Sequence, residues 1–237
     1  MRVLLAGATG AIGRPLVSLL VGAGHEVTGS TRSTEKAHEL ERAGAMPAVV
    51  DVFDAPAVVD AVRAARPEIV IHQLTDLPQD AAQAAVFYPN NARIRIEGTR
   101  NLIIAARAAA VRRFIVQSIA FAYAPGGEPH PETDPLNFDD PTRAVTVKGA
   151  ADMERQVLSA PGIEGIVLRY GLLYGPGTWY VAAGRKPGLH VDVAAHAALL
   201  ALTRGAAGIY NIADDDGAVS IAKARAELGF DPDFRLP

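Results

Sequence analysis

The chain contains no cysteine. Disulfides, thiolate nucleophiles and cysteine-held metals are therefore excluded. Its six histidines, His25, His38, His72, His130, His190 and His196, show no metal-ligand spacing, so no metal is expected. Long apolar runs are also missing. No stretch approaches the roughly 18 residues that a membrane helix needs. The short apolar run before Gly7 is too brief for a signal-peptide core. Neither sign of charge dominates: 23 basic residues face 26 acidic ones, for a net charge of −3. That balance gives no electrostatic case for nucleic acid or a membrane surface. A soluble cytoplasmic protein is expected, a monomer or homodimer with a small-molecule substrate as its partner. What the chain does have is apolar residues, 49% of 237, enough to fill the core of one α/β domain.

Strand and helix signals alternate along the first half. Arg2 to Ala6 is a short apolar run that ends at a glycine, the pattern of a buried strand. Ile12 to Val21 carries Ile12, Leu16, Leu19 and Leu20 at helical spacing, with Pro15 in the first turn where a missing N–H costs nothing. Strands are then expected at HEVTGST, PAVVDV, EIVIHQL and RRFIVQSIA, and helices at Thr34–Ala43, Pro56–Ala65 and Ala92–Ala110. Each crossover is long enough for a parallel connection. The predicted fold is α/β, a doubly wound parallel sheet with helices on both faces. A Pro/Gly/Asp-rich loop of about 17 residues, Pro125 to Pro141, follows, and loops that long are usually functional or mobile. Thr142–Leu158 and DVAAHAALLALTR read as helices, GIEGIVLRYG and GIYNIA as strands.

Between the first strand and first helix stand Gly7, Gly10 and Gly13. In that context one glycine permits the tight turn, one lets backbone approach a pyrophosphate, and one lets helix and strand pack closely. The helix N-terminus offers free N–H groups to phosphate. The loop is therefore read as a dinucleotide cradle. At the end of the second strand a carboxylate would bind the ribose hydroxyl of NAD, whereas arginine accommodates the 2′-phosphate of NADP. Thr31 fills the acidic slot and Arg32 follows, so NADP(H) is expected over NAD(H).

The Gly-x-x-Gly-x-x-Gly spacing, with Ala8-Thr9 between the first glycines, resembles the short-chain dehydrogenase/reductase superfamily. DVFD, VIHQLT, EGTRNLIIAAR, LRYGLLYGPG, LHVDVAAHA and GIYNIADDD resemble, in order, motifs of its extended NAD-dependent epimerase/dehydratase branch. The resemblance spans nearly the whole chain. It implies a Rossmann-type domain over 1–237, with a small, partly disordered C-terminal substrate lobe from about 171–190 and 213–237. It implies cofactor contacts from Gly7, Thr9, Gly10, Ala11, Ile12, Gly13, Thr31 and Arg32. Further along the chain it adds Asp51, Val52, Gln73, Leu74, Thr75, Tyr170 and Gly171. Trp179 and Tyr180 fall where the family places substrate-facing residues, and Tyr123 is a further candidate there. The chain from Gly177 to His190 is much shorter than in the extended branch, which points either to deletions or to disordered segments of the lobe.

The family's acid/base machinery is a Ser or Thr after the fifth strand and a Tyr-x-x-x-Lys on the next helix. That motif is absent from TRAVTVKGAADMERQVL. If Lys148 is the lysine, Ala144 takes the tyrosine's place; if MERQV is the anchor, the two places hold Thr146 and Ala150. The second register is preferred, and Lys148 then points about 200° away from either place. Ser118 is one residue out of step with the family's serine, so either a bulge re-aims it or it is a structural hydroxyl. The candidate catalytic residues are thus Ser118, Thr146 and Lys148. The function expected is an NADP(H)-binding, atypical oxidoreductase acting on a small carbonyl or alcohol, polyketide- or sugar-like. A non-catalytic cofactor-binding sensor, resembling the nitrogen-metabolite-repressor type, and an isomerase or cyclase using the same pocket are the alternatives.

Overall fold

A computed structural model describes residues 1–78 and 80–236. Seven parallel strands form the main sheet: β1 (Arg2–Ala6), β2 (Glu26–Thr31), β3 (Met46–Val49), β4 (Ile69–His72), β5 (Arg113–Ile119), β6 (Glu164–Tyr170) and β9 (Gly208–Ile212). Their order is β3-β2-β1-β4-β5-β6-β9. The direction of the winding therefore reverses between β1 and β4, and ligands of such sheets bind in the crevice at that switch point.

Strand side chains alternate between the two faces, and each set has its own helices. Val3, Leu5, Ile69, Ile71, Ile115 and Ile166 pack under α1 (Gly13–Gly22) and α7 (Val191–Leu200). Leu4, Ala6, Val70, Phe114, Val116 and Val167 pack under α3 (Ala55–Ala65), α5 (Thr99–Ala108) and α6 (Ala144–Leu158). Burial on both faces explains why these strands read as continuous apolar runs. In α7 four of the six buried side chains are alanines, Ala194, Ala195, Ala197 and Ala198, beside Val191 and Val193, so that helix packs close. Local signals set several boundaries. Ser33 caps α2 (Thr34–Arg42) by accepting from the Lys36 N–H, and Asp54 caps α3 by accepting from that of Ala57.

Several elements depart from the sequence expectation. The helix expected to begin at Ala92 begins at Ala84, as α4 (Ala84–Arg93), and runs through a π turn (Ile94–Gly98) into α5. Pro89 lies inside α4. The short parallel pair β7 (Leu172–Tyr174) and β8 (Gly188–His190), and the helix α8 (Ala222–Leu228), were not anticipated.

The two segments expected to form a substrate lobe are folded into β7, β8, α8 and the turns around them; Pro237 lies outside the described residues. The Pro125–Pro141 loop is pinned rather than loose. His130 donates its N–H to the Ala218 carbonyl and accepts from Ser220 N–H, and Ala124 N–H reaches the Pro135 carbonyl. No helix among the described residues is long and apolar enough to cross a membrane.

Candidate functional site

A cleft of about 1600 Å³ opens above the C-terminal ends of β1, β2, β4, β5 and β6. Pockets for one small ligand are typically about 300–1,000 Å³. This one has room for a dinucleotide and a small molecule together.

The glycine loop forms one wall, and its three glycines differ. Gly7 has φ +89°, a left-handed conformation that disfavours side chains, and a Cβ there would meet the Gln73 backbone at 2.8 Å. At Gly13 a Cβ would lie 2.1 Å from the Gly7 carbonyl oxygen, so that residue lets α1 close onto the loop. At Gly10 only the Gly7 carbonyl oxygen comes near, at 3.4 Å, and the position faces the cleft. Thr9, Gly10, Ala11 and Ile12 line the cleft with Gly7; Gly13 does not. The loop is thus a cradle whose one open side an added Cβ would fill.

At the end of β2 stand Ser30, Thr31, Arg32 and Ser33, with Lys36 a turn later, all on the cleft. Thr31 accepts from the Ser33 N–H through its hydroxyl. The Arg32 side chain is 58% exposed and lies 3.6 Å from Asp76, whose carboxylate also accepts from Asn90. No carboxylate stands at the C-terminal end of β2, from Val27 to Thr31. Asp51 and Val52 line the adjacent wall, and the Asp51 carboxylate is turned onto the Phe53 N–H.

Gln73, Leu74 and Thr75 continue the wall from β4. Gln73 donates to the Tyr170 hydroxyl, and its own carbonyl oxygen is buried with no partner among the described residues. Tyr170 is buried and donates to the Ala194 carbonyl; burial pushes its phenol up out of the ordinary range. Its hydroxyl is therefore occupied within the protein, while the residue edges the cleft beside Gly171. Trp179 crosses over, its indole N–H donating to the Pro78 carbonyl at 2.7 Å, and Tyr180 stands beside it with its hydroxyl accepting from Arg185. Both line the cleft, as do Arg185 and Lys186. No residue of 213–236 does.

The three catalytic candidates separate. β5 and β6 pair in unbroken register from Arg113–Glu164 to Ile119–Tyr170, so no bulge re-aims Ser118. Its hydroxyl donates to Glu154 at 2.6 Å, although the residue borders the cleft. Thr146 also lines the cleft, and its hydroxyl is buried without a partner among the described residues. Lys148 is exposed and lines no part of it, because it stands two residues on from Thr146 and faces away from α6's buried side. The structure also takes Tyr123 out of the substrate wall. Its hydroxyl donates to Asn211 and accepts from Arg169, behind the cleft.

Two residues were missed in the sequence, Glu154 and Arg95. Glu154 and Arg169 form a buried bidentate pair, with Nη2 to Oε2 at 2.7 Å and Nε to Oε1 at 2.9 Å. Burial acts to lower the guanidinium's pKa, but the Glu154 carboxylate outweighs it and raises it. Arg95 is the other. It is 6% exposed, lines the cleft, and donates to the Thr146 carbonyl at 3.1 Å. Burial lowers its pKa to about 10, so it stays charged.

His72 is a core residue, not a reacting one. Its Nδ1 accepts from the Leu74 N–H and its Nε2 meets the Thr99 hydroxyl, an arrangement of the neutral ring. Burial, then the Arg95 charge, holds its pKa down to about 3. The unfolded chain takes up this proton near pH 6.5 and the folded one does not. Stability is therefore full above pH 6.5 and falls as pH drops towards 3. About 2 kcal/mol is expected to be lost at pH 5. Urea titrations at pH 5, 6 and 7 check this: His72→Asn flattens the dependence, and an unchanged slope in that variant refutes the assignment.

Comparison with known proteins agrees with this geometry. The family model for the NAD-dependent epimerase/dehydratase family matches residues 3–188. A 3-diazoavenalumate denitrifying reductase from a Streptomyces species is 45% identical over 262 aligned positions, which take in all of this chain and 84% of that one. The alignment is longer than the chain, so the relative has residues here that this protein lacks. The fold is that of UDP-glucose 4-epimerases. The Thermotoga maritima enzyme, solved with UDP-glucose, gives a TM-score of 0.82 at 20% identity over 99% of this chain and 94% of its own. The Thermus thermophilus enzyme, solved with NAD, gives 0.80 at 23% identity over 100% and 95%. The chain belongs to the NAD-dependent epimerase/dehydratase family, whose cofactor is a nicotinamide dinucleotide.

Proposed function

We propose that this protein is an NADP(H)-dependent reductase of a small organic electrophile, and that its reaction needs no proton from the protein. The observation that carries this reading lies on α6. Where the family resemblance calls for a tyrosine and a lysine, Thr146 and Ala150 stand, and Lys148 is in solvent. The phenols near the cleft floor, Tyr123 and Tyr170, have their hydroxyls bound within the protein.

The residues fit the dinucleotide. The glycine loop leaves open backbone for a pyrophosphate, with Thr9 to Ile12 beside it. Thr31, Arg32, Ser33 and Lys36 would hold a 2′-phosphate, and the C-terminal end of β2 carries no carboxylate to repel it. Gln73, with its unpartnered carbonyl oxygen, Leu74, Thr75, Tyr170 and Gly171 would line the nicotinamide end. The bound dinucleotide, when reduced, supplies a hydride. The protein's part is to orient the acceptor against it and keep water out. Trp179 and Tyr180 would wall the acceptor's side.

Hydride addition to a carbonyl leaves an alkoxide that must be protonated, and a positioned acid speeds that step. Hydride addition to an aromatic diazo carbon differs. The new C–H bond forms as the C–N bond breaks, nitrogen leaves as N2, and no proton is consumed. A site stripped of its acid matches the second chemistry, and the 45% identical relative is named for a diazo substrate and a denitrifying reduction. An aromatic diazo carboxylate is thus the preferred substrate class. A polyketide- or sugar-like carbonyl or alcohol is the second reading, favoured by the Thr146 hydroxyl, which lies buried on the cleft with no partner among the described residues.

The test uses 4-carboxybenzenediazonium and a panel of quinones and ketones. NADPH is expected to bind at least about tenfold more tightly than NADH, by quenching of Trp179, because a charged contact to phosphate carries that much. Deuterium from labelled NADPH should appear on the carbon of the benzoate product, with a rate flat in pH. Tighter NADH binding, a bell-shaped profile, or turnover of ketones alone would overturn the proposal.

A further inference from the structure

We propose that Arg95, together with the Thr146 hydroxyl, is the subsite that takes the carboxylate of the substrate. The proposal rests on the reading of a small organic anion as substrate and says where its charge is held.

Charge is out of balance in the buried region below the cleft. Arg95 and Arg169 both bring guanidinium groups below the cleft, and Glu154 is the one carboxylate buried with them. Glu154 is spoken for. One oxygen accepts from Arg169 Nε and the Ser118 hydroxyl, the other from Arg169 Nη2. His72, the other titratable group near Arg95, is neutral. Among the described residues Arg95 makes no ion pair, and its hydrogen bond goes to a neutral backbone carbonyl, that of Thr146. One positive charge is left over. A buried guanidinium without a counter-ion is unfavourable, and arginine does not relieve this by losing its proton. What offsets it must come from the side that is open, and that side is the cleft.

The geometry supplies the second hydrogen bond. Arg95 fastens to the carbonyl of Thr146, which brings its guanidinium beside that residue, and the Thr146 hydroxyl is buried, on the cleft and unpartnered. A guanidinium fork and a hydroxyl side by side suit the two oxygens of a carboxylate. The π turn that carries Arg95 is what brings it there. It adds a residue to the helix, so that Arg93 pairs with Glu97 at the surface while Arg95 turns inward.

The experiment reads binding, not turnover. Benzoate and its uncharged counterpart benzamide are titrated into the NADP+-loaded protein, with Trp179 fluorescence and calorimetry as readouts. Benzoate is expected to bind at least about tenfold more tightly than benzamide. Arg95→Met should abolish that difference and leave the affinity for NADP+ unchanged. Arg95→Lys should restore part of it, and Thr146→Val should weaken benzoate several-fold. Melting curves show whether each variant is folded, and the lysine variant keeps the test decisive if the methionine one is not. Equal binding of benzoate and benzamide by the native protein, no benzoate binding at all, or a loss in Arg95→Met that falls on NADP+ would overturn the subsite. Reduction of diazo compounds could fail with the subsite intact, and the two results would be distinguished.

Discussion

Gly13→Ala is expected to cost the protein its fold, and Gly10→Ala to cost it only the dinucleotide. The two glycines are three residues apart in one loop, yet a methyl group meets different things at each. At Gly13 it would sit 2.1 Å from the Gly7 carbonyl oxygen and 2.6 Å from the Ala8 carbonyl carbon, backbone atoms that no side-chain rotation can move. Relief requires α1 to lift from β1, and α1 carries Leu16 and Leu20, both fully buried. Overpacking of a core costs about 1–3 kcal/mol where side chains can give. Here backbone must give, so the loss should exceed about 3 kcal/mol. A domain's whole margin is about 5–15 kcal/mol. At Gly10 the nearest atom is 3.4 Å away, the φ is not left-handed, and the rest of the methyl's surroundings are cleft. Gly10→Ala should melt within a degree or two of the native protein and bind NADPH at least about tenfold more weakly, one lost close approach to pyrophosphate. Thermal melts and Trp179 titrations of both variants separate the effects. A Gly10 variant with full affinity would show that the dinucleotide does not lie in this cradle.

The fold was legible because its signals are local and repeated. A buried parallel strand is an apolar run, and its crossover is a helix with an apolar stripe, long enough for a parallel connection. The start of α4 was not legible, because Pro89 reads as a breaker. Inside α4 it leaves the Ala85 carbonyl without its usual partner, but Ala85 is exposed and borders the cleft, so water can take that bond. The π turn was not legible either, since one extra residue in a helix leaves no mark in composition. That is why Arg95 went unnoticed: on an uninterrupted helix it is one arginine among Arg93, Arg95 and Arg100, and only the shifted phase buries it. Ser118 and Tyr123 were singled out for their chemistry, but their role depends on Glu154, Arg169 and Asn211, which lie 15 to 88 positions away along the chain from their partners. A hydroxyl's partner across such distances is a property of packing. The absence of a tyrosine on α6, by contrast, was plain in the sequence and is the fact from which the chemistry is argued.

Removing Arg169 is the last large effect expected. Its guanidinium joins four elements: Glu154 on α6 by two bonds, the Tyr123 hydroxyl at 2.8 Å and the Glu132 carbonyl in the long loop, all from its own place on β6. Tyr123 then donates to Asn211 on β9, and the Asn211 side chain holds the His130 and Ser220 carbonyls. With Arg169 and Glu154 at 4% and 5% exposure, water cannot replace the lost partner. Arg169→Met should destabilise the protein by about 3–5 kcal/mol, the cost of leaving a buried charge unpaired. Because the stranded carboxylate can be neutralised by a proton, the deficit should shrink as pH falls. Glu154→Leu added to Arg169→Met should recover most of the stability, since the cost lies in the orphaned charge more than in the missing contact. If the pair serves only to close the floor of the cleft, that double variant binds NADPH as the native protein does. Urea denaturation of the two singles and the double gives the coupling. A double variant no more stable than Arg169→Met would mean that the loop and strand contacts of the guanidinium, rather than its charge partner, hold this end of the sheet together.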